Sequence, residues 1–512
     1  MKRLLLSTII AILCVQQHYA QEFIHIGEEA IPLSNITQIT HEVKVHPGSL
    51  SLLLEKDSNI SIYVSALKAT GMMDSLKFCI DDTYSIMDVE DSCSYKIIER
   101  SYYRAFPEER RFNFTFLACP DSILLAKHNI KDLNGLRAKA KEIYSDIYPE
   151  DAGVTNETDR RNYLNRFISY QLLDFYGKYY TLTDFDNGIV GENFVPDYEI
   201  PNYYATMMPH SLIKFSFDRN SHSLYVNHRA YDETKKTTLF SPQQMKTVNL
   251  GVNGAYHYID DIVAYDKYTQ EVVLNERLRF DFTTLSPDFM TILKDGESAR
   301  GHSLPAGISP AISISFKAGY VRNFEFNNST ALHILTNRIY NWGSYLIDEI
   351  LPSDNYDITI KLPPVPARIY ELRLGTSITA ASDCAVLYID GKAVDVVDFR
   401  EPVTDYGWTD FVYSDIYEKE QAMDDERCLR NNGYMKGPAN FITFNQMPIY
   451  NYSGMPRKII GTFYTDGKSD HYLRIKRAES PYKDSSMGLC LDYLELVPPT
   501  VYDNEEVLED NL

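Results

Sequence analysis

Val252–Asp266 reads VNGAYHYIDDIVAYD and puts Asn253-Gly254 just ahead of His257, Asp260 and Asp261. A histidine with two carboxylates three and four residues on suggests a metal cluster or an acid/base set. Those side chains would then have to converge. Tyr256, Tyr258 and Ile262 occupy alternating or near-alternating positions, the periodicity of a strand. On a strand Asp260 and Asp261 point to opposite faces, so a metal would need ligands from elsewhere. Asn253-Gly254 is a tight-turn dipeptide. The stretch therefore predicts a turn, a strand, and polar groups that satisfy nearby backbone, with no metal.

Upstream of it the chain mixes helix and strand. Ile60, Tyr63, Val64 and Leu67 share one helix face, with Ser58 or Asn59 to cap the start and Gly71 the end. Leu164, Phe167, Ile168, Leu172 and Phe175 repeat the pattern after a Thr158 cap. Ser211–Asp218 and His222–His228 read as a hairpin through Arg219-Asn220-Ser221. Beyond Asp266 the helical period fades. YDITIKL alternates Ile358, Ile360 and Leu362 on one side. IYELRLG alternates Tyr370, Leu372 and Leu374 inward with Glu371 and Arg373 outward. AVLYIDGKAVDVV is a hairpin with Asp390-Gly391 at its turn. KIIGTFYTDGKSDHYLRIKRA reads as a second hairpin and LCLDYLELV as a last strand. Short strands with turns at this spacing predict an all-β sandwich or jelly roll.

The N-terminus reads as a signal peptide: Lys2 and Arg3, an apolar run Leu4–Val15, then Ala20 before the cleavage point. That run is too short to span a bilayer. Cys14 raises a lipid-anchored alternative, but Ile12-Leu13 before it departs from the small residues such anchors use. The formal charge is −21, and loss of Lys2 and Arg3 makes it −23. Such a chain repels polyphosphates, which excludes nucleic acid as a partner. Cys79, Cys93, Cys119, Cys384, Cys428 and Cys490 show no C-x-x-C spacing, so neither zinc nor a dense disulfide framework is indicated. Cys79 and Cys93 could pair; the alternative is that most are small buried hydrophobes. With 39 Tyr against 2 Trp, half-buried strands and sugar- or peptide-facing surfaces are well supplied.

Three motifs fail on spacing. His41–His46 has one residue too many for H-E-x-x-H, and Val43 and Val45 alternate as in a strand. Gly461–Ser469 is one residue too long for a phosphate loop and no helix follows it. Gly296–Gly301 lacks the G-x-S-x-G spacing of a nucleophile elbow. No carboxylate pair stands out for glycosidase chemistry.

N-G-x-x-H-x-I-D in the opening stretch resembles the closing segment of a fasciclin domain. Phe114–Lys127, FTFLACPDSILLAK, is similar to that family's strand-turn-helix, with Thr115, Ala118 and Asp121 in pattern. Asp121 would cap the helix carrying Ile123 and Leu124. Cys119-Pro120 stands where the family has Pro-Thr. ISIYVSALKATGMMDSL resembles the family's opening helix pair, and Tyr170-Gln171 takes the place of its Tyr-His pair. The resemblance implies a non-enzymatic α+β adhesion module; the adhesive role of the Tyr-His pair is not carried over. Together with Arg430–Phe441, RNNGYMKGPANF, the leader looks like that of bacterial fasciclin-containing surface proteins. In those a β-sandwich follows, often in glycan-uptake systems.

The expected architecture is multidomain: leader 1–20, an α+β fasciclin-like domain over 44–266, an all-β sandwich or jelly roll over 267–498, and an acidic tail over 499–512. The sandwich resembles galactose-binding and carbohydrate-binding modules. The expected function is an exported, non-catalytic binding protein for a polysaccharide or glycan, at the cell surface or in the periplasm and peripheral to the outer membrane. It uses no cofactor, metal or catalytic residue. The expected ligand-binding residues are Tyr406, Trp408, Asp410, Arg430, Asn431 and Tyr434, an aromatic floor with polar edges. Against this stands the reading in which Trp408 packs in the core and Arg430 pairs with an acid. Two further classes stay open: a protein-docking subunit of an outer-membrane complex, and an enzyme whose site is spread over loops.

Overall fold

The computed structural model describes residues 45–84, 110–183, 201–294, 311–337, 345–408, 419–438, 452–478 and 488–503, apart from short gaps within these spans, and the short strands 23–26, 29–32 and 104–105. The leader, Cys93, Asp410 and the tail beyond Asp503 lie outside the described residues.

The opening stretch sits at the centre of the first unit. Gly254–Tyr258 is a strand, and it runs parallel to Phe114–Ala118 in the register Gly254↔Phe114 to Tyr258↔Ala118. Leu172–Leu173 flanks the latter and Leu250–Gly251 the former, both antiparallel. The tight turn is Val252-Asn253 rather than Asn253-Gly254, because Gly251 already pairs with Gly254. Asn253 is buried instead, and its amide ties three segments together. Its Oδ1 accepts from Leu50 N at 2.8 Å, and its Nδ2 donates to the Leu76 and Phe78 carbonyls at 2.9 and 2.7 Å. Only an amide offers an acceptor and two donors in so small a volume.

Gly254 is required for a different reason. Its φ is 154°, and a Cβ there would lie 2.1 Å from the Phe114 carbonyl oxygen. The parallel strand pair could not close over it. Gly254→Ala should therefore lower stability by about 3 kcal/mol, the upper end of overpacking effects. Chemical denaturation measures this, and an unchanged midpoint would show that the strands do not approach so closely.

Helices Leu50–Lys56 and Tyr163–Tyr170 pack on this sheet, and Ser61–Ala69, Asp121–His128 and Leu133–Tyr144 gather around them. Tyr63 meets Phe116 edge to face with centroids 5.8 Å apart. The caps differ from the sequence expectation because side chains reach across elements. Asp121 leaves its own helix uncapped and accepts from Ser61 N and Ile62 N, at 2.9 and 3.2 Å, at the start of the neighbouring helix. Asp57 rather than Ser58 or Asn59 caps that region; its carboxylate accepts from Asn59 N and from the hydroxyls of Tyr256 and Tyr258. Asn162, not Thr158, caps the later helix, which stops at Tyr170 so that Leu172 lies on a strand. A four-stranded antiparallel meander, Asn202–Ala205, Leu212–Asp218, Ser223–Val226 and Thr237–Leu239, completes the unit.

After Asp266 the chain builds a β-sandwich. One five-stranded sheet holds Leu278–Asp281, Tyr493–Val497, Arg368–Gly375, Arg457–Thr465 and Tyr434–Met435 in that order. The other holds Phe324–Phe326, Asp357–Lys361, Tyr472–Arg477, Cys384–Ile389 and Lys392–Asp398. Asp390 and Gly391, at φ 49° and 76°, form the expected hairpin turn. The second expected hairpin is an arch. Arg457–Thr465 and Tyr472–Arg477 lie in different sheets, so the turn between them crosses the sandwich rather than pairing its flanks. A further sheet joins Ala311–Phe316, Thr330–Asn337 and Asp348–Asp354 to Arg104–Ala105. The molecule is thus a mixed α+β unit followed by a sandwich, and one apolar cluster runs through both.

Glu371 and Arg373 were expected to face outward. Both are buried, because the second face of their sheet is covered as well. There Glu495 accepts from Arg279, Arg457 and Arg373 at 2.9, 3.2 and 3.4 Å, and Glu371 holds Arg373 and Arg430.

Candidate functional site

The polar groups of the opening stretch do not converge. His257 is 1% exposed and donates from Nε2 to the Gly177 carbonyl at 2.8 Å. Asp260 accepts from Thr238 N at 2.7 Å. Asp261 faces helix Asp121–His128, where it takes His128 Nε2 at 2.6 Å and Lys127 Nζ at 3.3 Å. Among the described residues no group of three His, Cys, Asp or Glu is placed to hold a metal ion.

Burial pushes the His257 imidazole down to about 4, with the Gly177 carbonyl opposing it. A depressed histidine stays neutral in the folded chain while the unfolded chain takes up a proton below its ordinary value near 6.5. Stability is therefore lost as pH falls from about 6.5 to 4, by on the order of 3 kcal/mol from this group. His257→Gln keeps an amide donor for Gly177 and cannot titrate. Its stability profile should be flatter than wild type over that window; parallel profiles would show that His257 titrates normally.

The expected rim around Trp408 is closed. Trp408 is 4% exposed and Tyr434 equally so. Lys436 Nζ stands 5.2 Å from the Trp408 ring centroid and pairs with Asp425 at 2.9 Å. Tyr406 stacks on Tyr434 with centroids 5.6 Å apart and donates to Glu401. Arg430 is held by Glu371 at 2.8 Å, and Asn431 is exposed at the end of helix Lys419–Asn431. The turn context of Tyr406-Gly407 suggests an exposed ring. Gly407 at φ 98° instead turns the chain inward, and a Cβ there would sit 2.6 Å from Cys428 Cβ. An open aromatic floor is therefore not formed by these residues.

A cleft of about 400 Å³ opens elsewhere, between the α+β unit and the sandwich. Each wall is set by a chain reversal. Leu172–Leu173 delivers Asp174 and Phe175 to it. The tight loop from Thr206 to Ser211 closes the first hairpin of the meander. Thr206 and Ser211 bond both through backbone, at 3.1 Å, and through their hydroxyls, at 2.6 Å. This loop holds His210 at φ 56°, a conformation that non-glycine residues seldom adopt and that often marks a functional rim. The sandwich supplies Phe280, helix Pro287–Lys294, Arg322, Lys361–Pro364 and Asp470 from the arch.

Four aromatic rings back the floor, each no more than 4% exposed. Phe175 lies 4.8 Å from Tyr204, and Tyr203 5.8 Å from Phe280, centroid to centroid. The rim is charged and mostly engaged. Arg322 bridges Asp174 at 2.6 Å and the buried Asp288 at 3.0 Å, joining the two units. Lys361 pairs with Asp470 at 2.8 Å, and His210 lies 3.6 Å from the same carboxylate. Burial pushes the His210 imidazole below its usual range; Asp470 opposes this and Lys361 adds to it. Arg160 reaches the cleft from the α+β unit. The accessible apolar lining is Met207, Pro209, Pro363 and Pro364, set among these paired charges. None of these residues was expected from sequence. Their one local signal is the punctuation Met208-Pro209-His210 and Pro363-Pro364.

No family model matches the chain, and no curated protein matches it. Among solved structures, the insecticidal crystal protein Cry2Aa aligns with 37% of this chain and 22% of its own, at 11% identity and a TM-score of 0.20. A Paenibacillus xanthan lyase aligns with 56% of this chain and 21% of its own, at 10% identity and a TM-score of 0.19. The chain thus spans about a fifth of the length of these structures. Likenesses at this level carry no argument about fold or function. Among the described residues no helix is long and apolar enough to cross a membrane.

Proposed function

We propose that this chain is an exported, non-catalytic binding protein that holds a glycan in the cleft between its α+β unit and its sandwich, at the cell surface in a polysaccharide-uptake setting. The observation that carries this reading is the cleft itself: accessible apolar surface of Met207, Pro209, Pro363 and Pro364 under a rim of fixed polar groups, at a volume suited to a few sugar rings. The α+β unit is read as fasciclin-like. Supporting that, the two segments with the family resemblance, Phe114–Ala118 and Gly254–Tyr258, are neighbouring strands.

Titration of the full chain with a panel of soluble polysaccharides tests the proposal. Binding of at least one at micromolar Kd, about −8 kcal/mol, is expected. A second reading, a protein-docking subunit of an outer-membrane complex, draws on the cross-strand pair Ile369 and Tyr464, exposed by 47% and 64%. It predicts no polysaccharide binding at all, together with loss of partner capture in Ile369→Ser/Tyr464→Ser.

A further inference from the structure

We infer that the glycan held in the cleft carries a carboxylate, and that Arg160 is the side chain that reads it; this rests on the glycan reading above. The argument starts from charge. The chain has 71 acidic residues against 50 basic ones, so an arginine without a carboxylate partner runs against the odds. Its neighbours follow the expectation. Arg161 pairs with Asp159 at 2.9 Å, and Arg166 with Asp151 at 2.5 Å. In the cleft, Arg322 is held by Asp174 and Asp288, and Lys361 by Asp470.

Arg160 differs. Among the described residues its polar contact is the sulfur of Met72, at 3.2 Å from NH1. A thioether is a weak acceptor that orients the guanidinium without neutralising it. The planar fork is left able to take a carboxylate through two parallel N–H···O bonds, the strongest pairing this side chain makes. The other charges do not oppose such a ligand. The lining carboxylates Asp174 and Asp470 each pair with a cation; with the buried Asp288 also on Arg322, three acids balance three cations, and Arg160 is the described lining cation that pairs with none of them. An apolar lining of Met207, Pro209, Pro363 and Pro364 beside one uncommitted guanidinium matches a uronic-acid ring: its C–H face packs on the lining and its carboxylate meets the fork.

The test uses the full chain and matched polymers. Polygalacturonate, glucuronoxylan, alginate and hyaluronan are each compared with the same polymer after its carboxyls are reduced to alcohols, by calorimetric titration of wild type, Arg160→Gln and Arg160→Lys. Thermal melts establish that the variants are folded. At least one acidic polymer should bind about tenfold or more tightly than its reduced form. Arg160→Gln should erase that preference without weakening the reduced form, Arg160→Lys should retain part of it, and added salt should diminish it. Equal affinity for acidic and reduced forms, or a preference that survives Arg160→Gln, would overturn the inference while leaving the glycan reading intact. No binding to any polymer, acidic or neutral, would overturn both.

Discussion

Glu495→Ala should lower stability by about 5 kcal/mol, enough to leave the sandwich largely unfolded at ordinary temperature. Glu495 lies on the strand Tyr493–Val497 and is fully buried. Burial by itself raises its carboxyl pKa; the guanidiniums of Arg457, Arg279, Arg277 and Arg373 override this and hold it well below the usual carboxylate range. Removing one partner of a buried pair is far worse than never having built it, because the remaining charge keeps its desolvation penalty. Here several guanidiniums share one carboxylate, so the loss falls on all of them. The pH dependence has a definite sign. A carboxyl depressed in the folded state contributes stability above its unfolded value near 4.3, and that contribution is lost as pH falls below it. Urea denaturation of Glu495→Ala and Glu495→Gln measures the effect, with the amide milder because it keeps one acceptor. A cost under about 1 kcal/mol would mean the arginines are held mainly by other groups.

Trp408→Ala should lower stability by about 3–5 kcal/mol and leave ligand binding by the folded fraction unchanged. The ring is 4% exposed and lies under Lys436, which is itself buried and paired with Asp425. Truncation opens a large cavity and removes a π face from a desolvated ammonium. The alternative, a ring that stacks on sugar, predicts the reverse pattern: a melting temperature that barely moves and affinity that drops about tenfold. Melting and calorimetry on the same variant separate the two.

How much of this the sequence shows depends on the range of the interaction. Alternation at Ile358 and Ile360, and at Tyr370, Leu372 and Leu374, places real strands, because the period of two is local. Asp390-Gly391 marks a real hairpin, because left-handed backbone is a local demand. Asp466-Gly467 looks the same, yet its flanks separate into two sheets; only packing decides between a hairpin and an arch. Glu371 and Arg373 read as solvent-facing because charge usually is, and nothing local announces that a second layer covers them. Asp121 reads as the cap of its own helix and serves another. The cleft is hidden for the same reason: Arg160, Asp174, His210, Arg322, Lys361 and Asp470 come from six separate segments, and no spacing links them. Trp408 beside Gly407 was legible as a turn, but not as a turn into the core.

The most direct measurement is hydrogen exchange on the full chain, free and saturated with whichever polysaccharide it binds. Ligand in the cleft should slow exchange in residues 203–211 and 361–365, the loop that carries His210 and the segment that follows Lys361, and leave 401–408 and 428–435 unchanged. Protection confined to 401–408 and 428–435, with the cleft segments unaltered, would contradict the account and return the site to the rim around Trp408.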